Sequence, residues 1–157
     1  FCTHRRVPVF TNNQYREMFV EELKDWIVGY QIRLSAWVLM PEHVHLVLMP
    51  AEDSRLGLLI GELKQRTSQK IHAQLKETRS ELSKRLTTVR DGELRFALWQ
   101  KRCYDHNCRD EESVWEKVRY CHENPVKRGL VSSPVDWKWS SLRWYEGKTD
   151  SPIEISL

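Results

Sequence analysis

The strongest constraint on the fold of this chain is a change of hydrophobic period after the first thirty residues. Apolar residues recur at helical spacing over Asn12–Tyr30 and then alternate over Ile32–Met40. The first pattern predicts an amphipathic helix and the second predicts a strand. Pro41-Glu42 ends the alternation, and an apolar stretch over His43–Met49 predicts a second strand. We expect a hairpin with a longer or bulged turn, because Pro41 cannot take the positive φ of a tight two-residue loop.

The later elements are predicted in the same way. A second helix, marked by apolar residues from Leu56 to Leu75, is expected to start near Asp53-Ser54. Polar helix formers continue to about Arg90 as either helix or mobile arm. A strand is expected over Leu94–Gln100, and a third helix over Glu111–Glu123, which Pro125 should stop. This order predicts an α+β fold, with a ferredoxin-like antiparallel sheet (β-α-β-β-α-β) and an additional C-terminal helix.

Length and composition bound the class of protein. The 157 residues fit a single domain, 1–157, with a leading strand truncated before Phe1 and a tail over 126–157 that wraps the domain. No apolar run approaches the roughly 20 residues of a membrane span, and no signal peptide is visible. The four Cys are expected to be reduced, so the expected location is the cytoplasm.

Charge is concentrated in one part of the chain. The net charge is only +3, but Lys64–Arg90 contains eight basic and two acidic residues, a local charge of +6. Such a segment fits a polyanionic partner or an ordinary solvated helix face.

Two pairs of residues are candidates for chemistry. His43 and His45 are two apart on a strand and project from the same face, while the residues between and after them are apolar. Two neutral imidazoles side by side suit a divalent metal, although two histidines on a half-exposed strand can equally have no function. Tyr120 and Asn124 are four apart on the third helix and share a face, which we expect to be turned away from Val118 and Cys121. Taken alone, Tyr120 is typical of a packed aromatic residue and Asn124 is typical of a helix end.

Four stretches together resemble one protein family. Met40-Pro41-Glu42-His43-Val44-His45-Leu46-Val47 resembles the His-hydrophobic-His motif of the single-tyrosine HUH transposases. Three further stretches resemble the REP-associated tyrosine transposase branch of that superfamily. They are Leu98-Trp99-Gln100 with Tyr104-Asp105-His106, the run from Tyr120 to Val131, and Trp139-Ser140-Ser141.

The resemblance implies an enzyme that cuts and rejoins single-stranded DNA at hairpin-bearing, REP-like repeats through a 5′-phosphotyrosine intermediate. Tyr120 corresponds to the nucleophile. His43, His45 and Asn124 correspond to ligands of a divalent metal, Mg²⁺ or Mn²⁺. The implied partner is single-stranded or hairpin DNA, with no membrane partner, and the protein is expected to be a monomer or homodimer associated with the bacterial nucleoid.

Candidate DNA-binding residues are the basic side chains of the N-terminal region, of the +6 segment and of the run after Asn124. They are Arg5, Arg6, Lys64, Arg66, Lys84, Arg85, Arg90, Lys127 and Arg128.

Three alternatives remain open from the sequence. The first is a hairpin-DNA-binding regulator without turnover, and the second is a metal-dependent nuclease that uses water instead of Tyr120. The third is a zinc cluster, although its spacing matches no standard pair of ligand motifs. Its candidate ligands are Cys103, His106, Cys108, Cys121 and His122.

Overall fold

The structure is a computed structural model that describes residues 1–156. The helices are α1 (Asn13–Gly29), α2 (Leu56–Glu77), α3 (Leu82–Arg85), α4 (Glu111–Lys127) and α5 (Leu142–Tyr145), and the strands are β1 (Arg33–Met40), β2 (His43–Met49), β3 (Thr87–Arg90) and β4 (Glu93–Phe96). Short 3-10 turns lie at His4–Arg6, Val9–Thr11 and Pro134–Asp136. Within residues 1–156, none of the helices has the length and apolar character that crossing a membrane requires.

The antiparallel hairpin of β1 and β2 has a tight turn. Met40 pairs with His43, so the turn contains only Pro41 and Glu42, and the expectation of a longer or bulged turn is wrong. The N-terminal segment stabilises this turn, because the backbone N–H of Thr3 donates to the Glu42 carbonyl and that of Phe10 to the Pro41 carbonyl, both at 2.9 Å. The register shift lies instead near the start of β1, between residues 34 and 36.

This hairpin lies between two hydrophobic clusters. Leu34, Leu39 and Val44 belong to the larger cluster, which includes the buried faces of α1 and α2. On the opposite face of the hairpin, Ala36, Val38 and Met40 belong to a second cluster, to which α4 contributes Val118 and Cys121. The cross-strand partners of Met40 and Val38 are His43 and His45. The predicted alternation of β2 is therefore confirmed, and α4 packs on the face that carries the two histidines.

The predicted α+β antiparallel fold is confirmed, but the sheet is less continuous than predicted. The regular strands in the described part of the chain form two two-stranded sheets, β1–β2 and β3–β4. Cys2 makes an isolated antiparallel bridge to His43, and Thr3 makes one to Trp99. The expected leading strand is therefore represented by single bridges beside β2, and the strand expected over Leu94–Gln100 divides into β4 and the bridge at Trp99.

A second hairpin joins the end of the predicted helix or arm to the start of the predicted strand over Leu94–Gln100. Helix α2 ends at Glu77, and β3 pairs with β4 around Asp91 and Gly92. These turn residues have φ values of 54° and 78°, as a type I′ hairpin turn requires. The Asp-Gly dipeptide followed by Leu94 was the local signal for this hairpin.

Helix α4 continues through Pro125 to Lys127, beyond the predicted end at Glu123. Its C terminus is closed by Gly129, which has φ 66° and donates its N–H to the Val126 carbonyl at 2.9 Å. The N–H of Leu130 donates to the Pro125 carbonyl at 2.9 Å, which completes a Schellman motif. This cap stabilises the last turn, so that Pro125 does not end the helix.

The C-terminal tail lies along β1. The N–H of Leu39 donates to the Trp139 carbonyl at 2.8 Å, and the N–H of Ser141 donates to the Trp37 carbonyl at 2.9 Å. Farther along, the Tyr145 hydroxyl donates to the Ser35 carbonyl at 2.7 Å. These bonds cover the edge of β1 that β2 leaves open.

Candidate active site

The two histidines of β2 are in contact. The ring centroids of His43 and His45 are 4.8 Å apart, and the rings are nearly perpendicular at 86°. Burial lowers the pKa of both imidazoles, and that of His45 falls to about 4. Both side chains are therefore neutral at pH 7, which is the form in which imidazole binds a metal.

The buried carboxylate of Glu42 contacts the His43 ring on its Nδ1 side. Oε1 of Glu42 accepts hydrogen bonds from Arg6 Nη2 at 2.9 Å and from Arg128 Nη2 at 3.0 Å, and it lies 3.2 Å from Nδ1 of His43. Burial alone would raise the pKa of Glu42, but His43, Arg6 and Arg128 together lower it. An Nδ1–H directed at this carboxylate leaves Nε2 of His43 with the free lone pair.

Sequence reasoning missed Glu42, although it lies directly before His43. Arg6 and Arg128 were predicted as DNA contacts, and in the structure both guanidinium groups bind Glu42. Their side chains remain about half exposed, at 51% and 55%, so contact with a phosphate is still open to them.

Helix α4 brings Tyr120 to the histidine pair. The ring centroids of Tyr120 and His45 are 5.2 Å apart, at an angle of 89°. Nζ of Lys127 lies 5.6 Å from the centre of the Tyr120 ring. Tyr120 is 45% exposed, although Cys121 beside it is buried. The hydroxyl-bearing ring is thus placed beside the His45 imidazole and is open to a large substrate.

Asn124 lies one turn beyond Tyr120 and is 5% exposed. We expected it on a face turned away from Val118 and Cys121, but all three residues are buried. Two neutral imidazoles and one amide oxygen would be a donor set without thiolate, unlike the cysteine-containing sets of structural zinc sites. This donor chemistry is open to a divalent metal, and Mg²⁺ or Mn²⁺ held by His43, His45 and Asn124 stays a prediction.

The candidate DNA-binding residues lie on separate elements, and many of them are already paired. On α2, Arg66 contacts Glu22 of α1 at 2.9 Å, and Lys64 Nζ donates to the Gln100 carbonyl at 2.6 Å. The pairs on α3, the β3–β4 turn and α4 are Lys84–Glu81 at 2.8 Å, Arg90–Asp91 at 3.9 Å and Lys127–Glu123 at 2.7 Å. Arg5 and Arg85 are exposed. The +6 segment is thus not a single continuous patch.

The structure does not support the zinc cluster. Burial raises the pKa of the Cys121 thiol to about 12, and Nε2 of His122 lies 2.9 Å from Oγ of Ser141. Over residues 1–156, no three His, Cys, Asp or Glu side chains are grouped as metal ligands would be. His122 is a buried structural residue, whose pKa is lowered to about 4 by burial.

Two curated proteins are similar to this chain in sequence. A Haemophilus influenzae protein provisionally described as a REP-associated tyrosine transposase is 27% identical over 131 residues, covering 83% of this chain and 68% of the relative. A REP-associated tyrosine transposase of Escherichia coli is 29% identical over 111 residues, covering 69% of this chain but only 53% of the relative. This chain therefore spans about half to two thirds of the length of these two relatives.

A solved structure has the same fold. The structure of a REP-associated tyrosine transposase bound to a REP hairpin superimposes with a TM-score of 0.68, covering 93% of this chain and 75% of the other, at 21% identity. The family model for IS200-like transposases matches residues 1–90, which include both histidines of β2. That match covers more than half of the 157 residues. The chain therefore belongs to the IS200-like transposase family.

Proposed function

We propose that this protein cuts and rejoins single-stranded DNA at hairpin-bearing repeats through a covalent 5′-phosphotyrosine on Tyr120. The observation that carries the proposal is the contact between Tyr120 of α4 and His45 of β2, with ring centroids 5.2 Å apart. Two relatives named as REP-associated tyrosine transposases, and a fold neighbour bound to a REP hairpin, support the class of substrate.

The proposed reaction exchanges one phosphate ester for another. The Tyr120 oxygen forms a bond to phosphorus, and its proton passes to solvent. The bond from phosphorus to the 3′ oxygen breaks, and that oxygen takes up a proton as a free 3′-hydroxyl. Because the phosphodiester count is unchanged, a 3′-hydroxyl can reverse the step without a nucleotide cofactor.

A tyrosine hydroxyl needs assistance, because its ordinary pKa is about 10. His43, His45 and Asn124 would hold Mg²⁺ or Mn²⁺, which supplies Lewis-acid polarisation of the phosphate when bound. The chain itself contributes Lys127, whose ammonium lies 5.6 Å from the Tyr120 ring centre and would place a positive charge close to the bound DNA backbone. The exposed position of Tyr120 leaves space for a strand.

Single-stranded DNA beside a hairpin is the expected substrate. Opening a duplex costs about 1.4 kcal/mol per base-pair step, and the proposed reaction includes no energy source for this step. We expect duplex DNA to be cut poorly.

A denaturing gel tests the proposed function. A labelled DNA stem-loop with single-stranded arms is incubated with the protein and Mn²⁺. A band that survives denaturation and disappears after protease treatment supports the tyrosine mechanism. A native-gel shift without cutting would indicate a binding regulator, and cutting without the adduct would indicate a nuclease that uses water. Tyr120→Phe is the matched control, because it removes only one hydroxyl.

A further inference from the structure

A cleft extends from Tyr120 along the β2 strand. Its volume is about 510 Å³, which lies within the roughly 300–1,000 Å³ of small-molecule sites. The apolar part of its lining includes Leu46, Leu48 and Ile60, and the polar part includes Asp105 and Lys117. A nucleobase has two apolar faces and a polar edge, so this mixed lining suits it.

An exposed aromatic residue lies in the wall of this cleft. Tyr104 is 88% exposed, so that packing does not explain the position of its ring. The segment that carries it is fixed at both ends. Lys64 Nζ donates to the carbonyls of Gln100 and Lys101 at 2.6 and 3.3 Å, and the Asp110 carboxylate accepts from the N–H of Ser113 at 2.7 Å as the cap of α4. An exposed aromatic ring on a segment that is anchored at its two ends offers a stacking surface for an unpaired base.

We propose that this cleft binds the unpaired nucleobase next to the phosphate that Tyr120 attacks, with the base stacked on the Tyr104 ring. This inference rests on the proposed function and adds to it a subsite. His45 and Tyr120 line the same cleft, so a base bound there is adjacent to the reacting hydroxyl. Lys117 lies three residues before Tyr120 on α4, where its ammonium can contact the neighbouring phosphate.

The glycines of α2 provide a matched pair of variants. Gly57 lines this cleft, and a Cβ added there meets no heavy atom within 4 Å. Gly61 lies one turn later on the same helix, is equally open, and lines a different cleft. Gly57→Leu should therefore fill the proposed subsite without a collision, and Gly61→Leu should leave it empty. Both replace a helical glycine with a better helix former, so both should fold.

Abasic substitution of the DNA tests the subsite. The probe is a DNA stem-loop whose single-stranded arms have been selected from random sequence for binding to the native protein. Each arm position is then made abasic in turn, and the dissociation constant is measured. We expect one position to weaken binding to the native protein by about 10-fold, the size typical of base stacking.

The variants decide whether that base occupies the cleft. Gly57→Leu and Tyr104→Ala should each bind the intact probe about 10-fold more weakly and show no further weakening with the abasic probe. Gly61→Leu should behave as the native protein does. The subsite would be overturned if the abasic position weakened binding of Gly57→Leu and Tyr104→Ala as much as it weakens binding of the native protein. It would also be overturned if no abasic position weakened binding at all. Either result would leave covalent adduct formation intact. Failure of the native protein to bind any probe would overturn both the subsite and the proposed function.

Discussion

Glu42 shows how one side chain can connect distant parts of this chain. Its Oε1 atom contacts Arg6 near the N terminus, Arg128 after α4 and His43 on β2. Glu42 therefore links the helix that carries Tyr120 to the strand that carries the histidines. Carboxylates behind metal-binding histidines fix the ring orientation and raise the basicity of the ligand.

Replacing Glu42 by Gln should weaken metal binding more than folding. Glu42→Gln keeps the size of the side chain and an oxygen acceptor, but it removes the charge that orients His43. We expect the affinity for Mn²⁺ to fall by about 10- to 100-fold, with partial recovery of DNA cleavage at high Mn²⁺. Calorimetric titration with Mn²⁺ measures this change. Glu81→Gln, at an exposed carboxylate on the surface, is the control, and equal Mn²⁺ affinity in the two variants would contradict the role of Glu42.

His122 should make folding stability depend on pH. Its folded pKa is about 4, below the ordinary value of 6.5, because burial disfavours the charged form. Between these two values the unfolded chain binds a proton that the folded chain does not. The contribution of neutral His122 to the free energy of unfolding is thus complete above pH 6.5. It is lost as the pH falls towards 4, by up to about 3 kcal/mol.

The matched variant for this prediction is His122→Gln, which can still hydrogen-bond to Ser141 but does not titrate. Urea midpoints at pH 7 and pH 4.5 should differ less in the variant than in the native protein. His45 titrates in both proteins, so the difference between them reports His122 alone. The same loss of stability in both proteins would contradict this assignment.

At the scale of elements, the end of α4 depends on one glycine. Gly129 has φ 66°, and a Cβ there would meet no atom within 4 Å, so the cost of a side chain is that of the backbone conformation alone. Gly129→Ala should lower the free energy of unfolding by about 1 kcal/mol. Gly29→Ala, at the end of α1 and also without a neighbour within 4 Å, should be neutral or slightly stabilising. Urea denaturation of both variants measures the difference, and equal stabilities would contradict the cap.

The basic side chains of α3 and β3 should contribute to binding DNA through the phosphate backbone. Changing Lys84, Arg85 and Arg90 together to Gln should reduce the slope of log affinity against log salt by about 0.7 for each phosphate that is no longer neutralised. Arg66→Gln is the control. Its guanidinium is paired with the largely buried carboxylate of Glu22, so we expect the slope to be unchanged in that variant. The partners of Lys84 and Arg90 are exposed carboxylates, and such surface pairs are weak enough to yield to a phosphate. Fluorescence anisotropy at several salt concentrations gives both slopes. An unchanged slope in the triple variant would make this segment a solvated surface.

Elements with a buried face could be predicted from the sequence, and elements without one could not. Helix α1 and the β1–β2 hairpin have apolar periods set by their cores, so their bounds were close to those of the structure. The β3–β4 hairpin is largely exposed and has no such period, so β3 was not predicted, although a strand was expected over the region of β4. The extension of α4 through Pro125 depends on a cap that lies beyond the proline.

The candidate site divides in the same way. The two rings of His43 and His45 lie close together because the residues are two apart on one strand, so the sequence predicted their proximity. The contact between Tyr120 and His45 needs α4 to pack across β2, which is a tertiary event supplied by Val118 and Cys121. Family resemblance predicted that contact, whereas residue spacing alone did not. The two ion pairs of Glu42 join residues 36 and 86 positions apart and had no local signal.

At the scale of the whole molecule, the hairpin, the N-terminal segment and α4 together position the two histidines of β2 and Tyr120. The hairpin places two neutral imidazoles on one face, the N-terminal segment and Glu42 hold that face, and α4 lays an exposed tyrosine across it. Under the proposed function, a cut strand stays attached to the protein between cutting and rejoining. A covalent link to Tyr120 would provide that attachment.

Mass spectrometry of the covalent intermediate tests this claim most directly. The protein is incubated with Mn²⁺ and a DNA stem-loop carrying single-stranded arms, and then digested with nuclease and trypsin. Cleavage after Arg119 and Lys127 leaves the peptide 120–127, whose only tyrosine is Tyr120. We predict a 5′-phosphonucleotide on Tyr120 in the native protein and none in Tyr120→Phe. A nucleotide on another residue, or cleavage of the DNA by Tyr120→Phe at the native rate, would contradict the proposed mechanism.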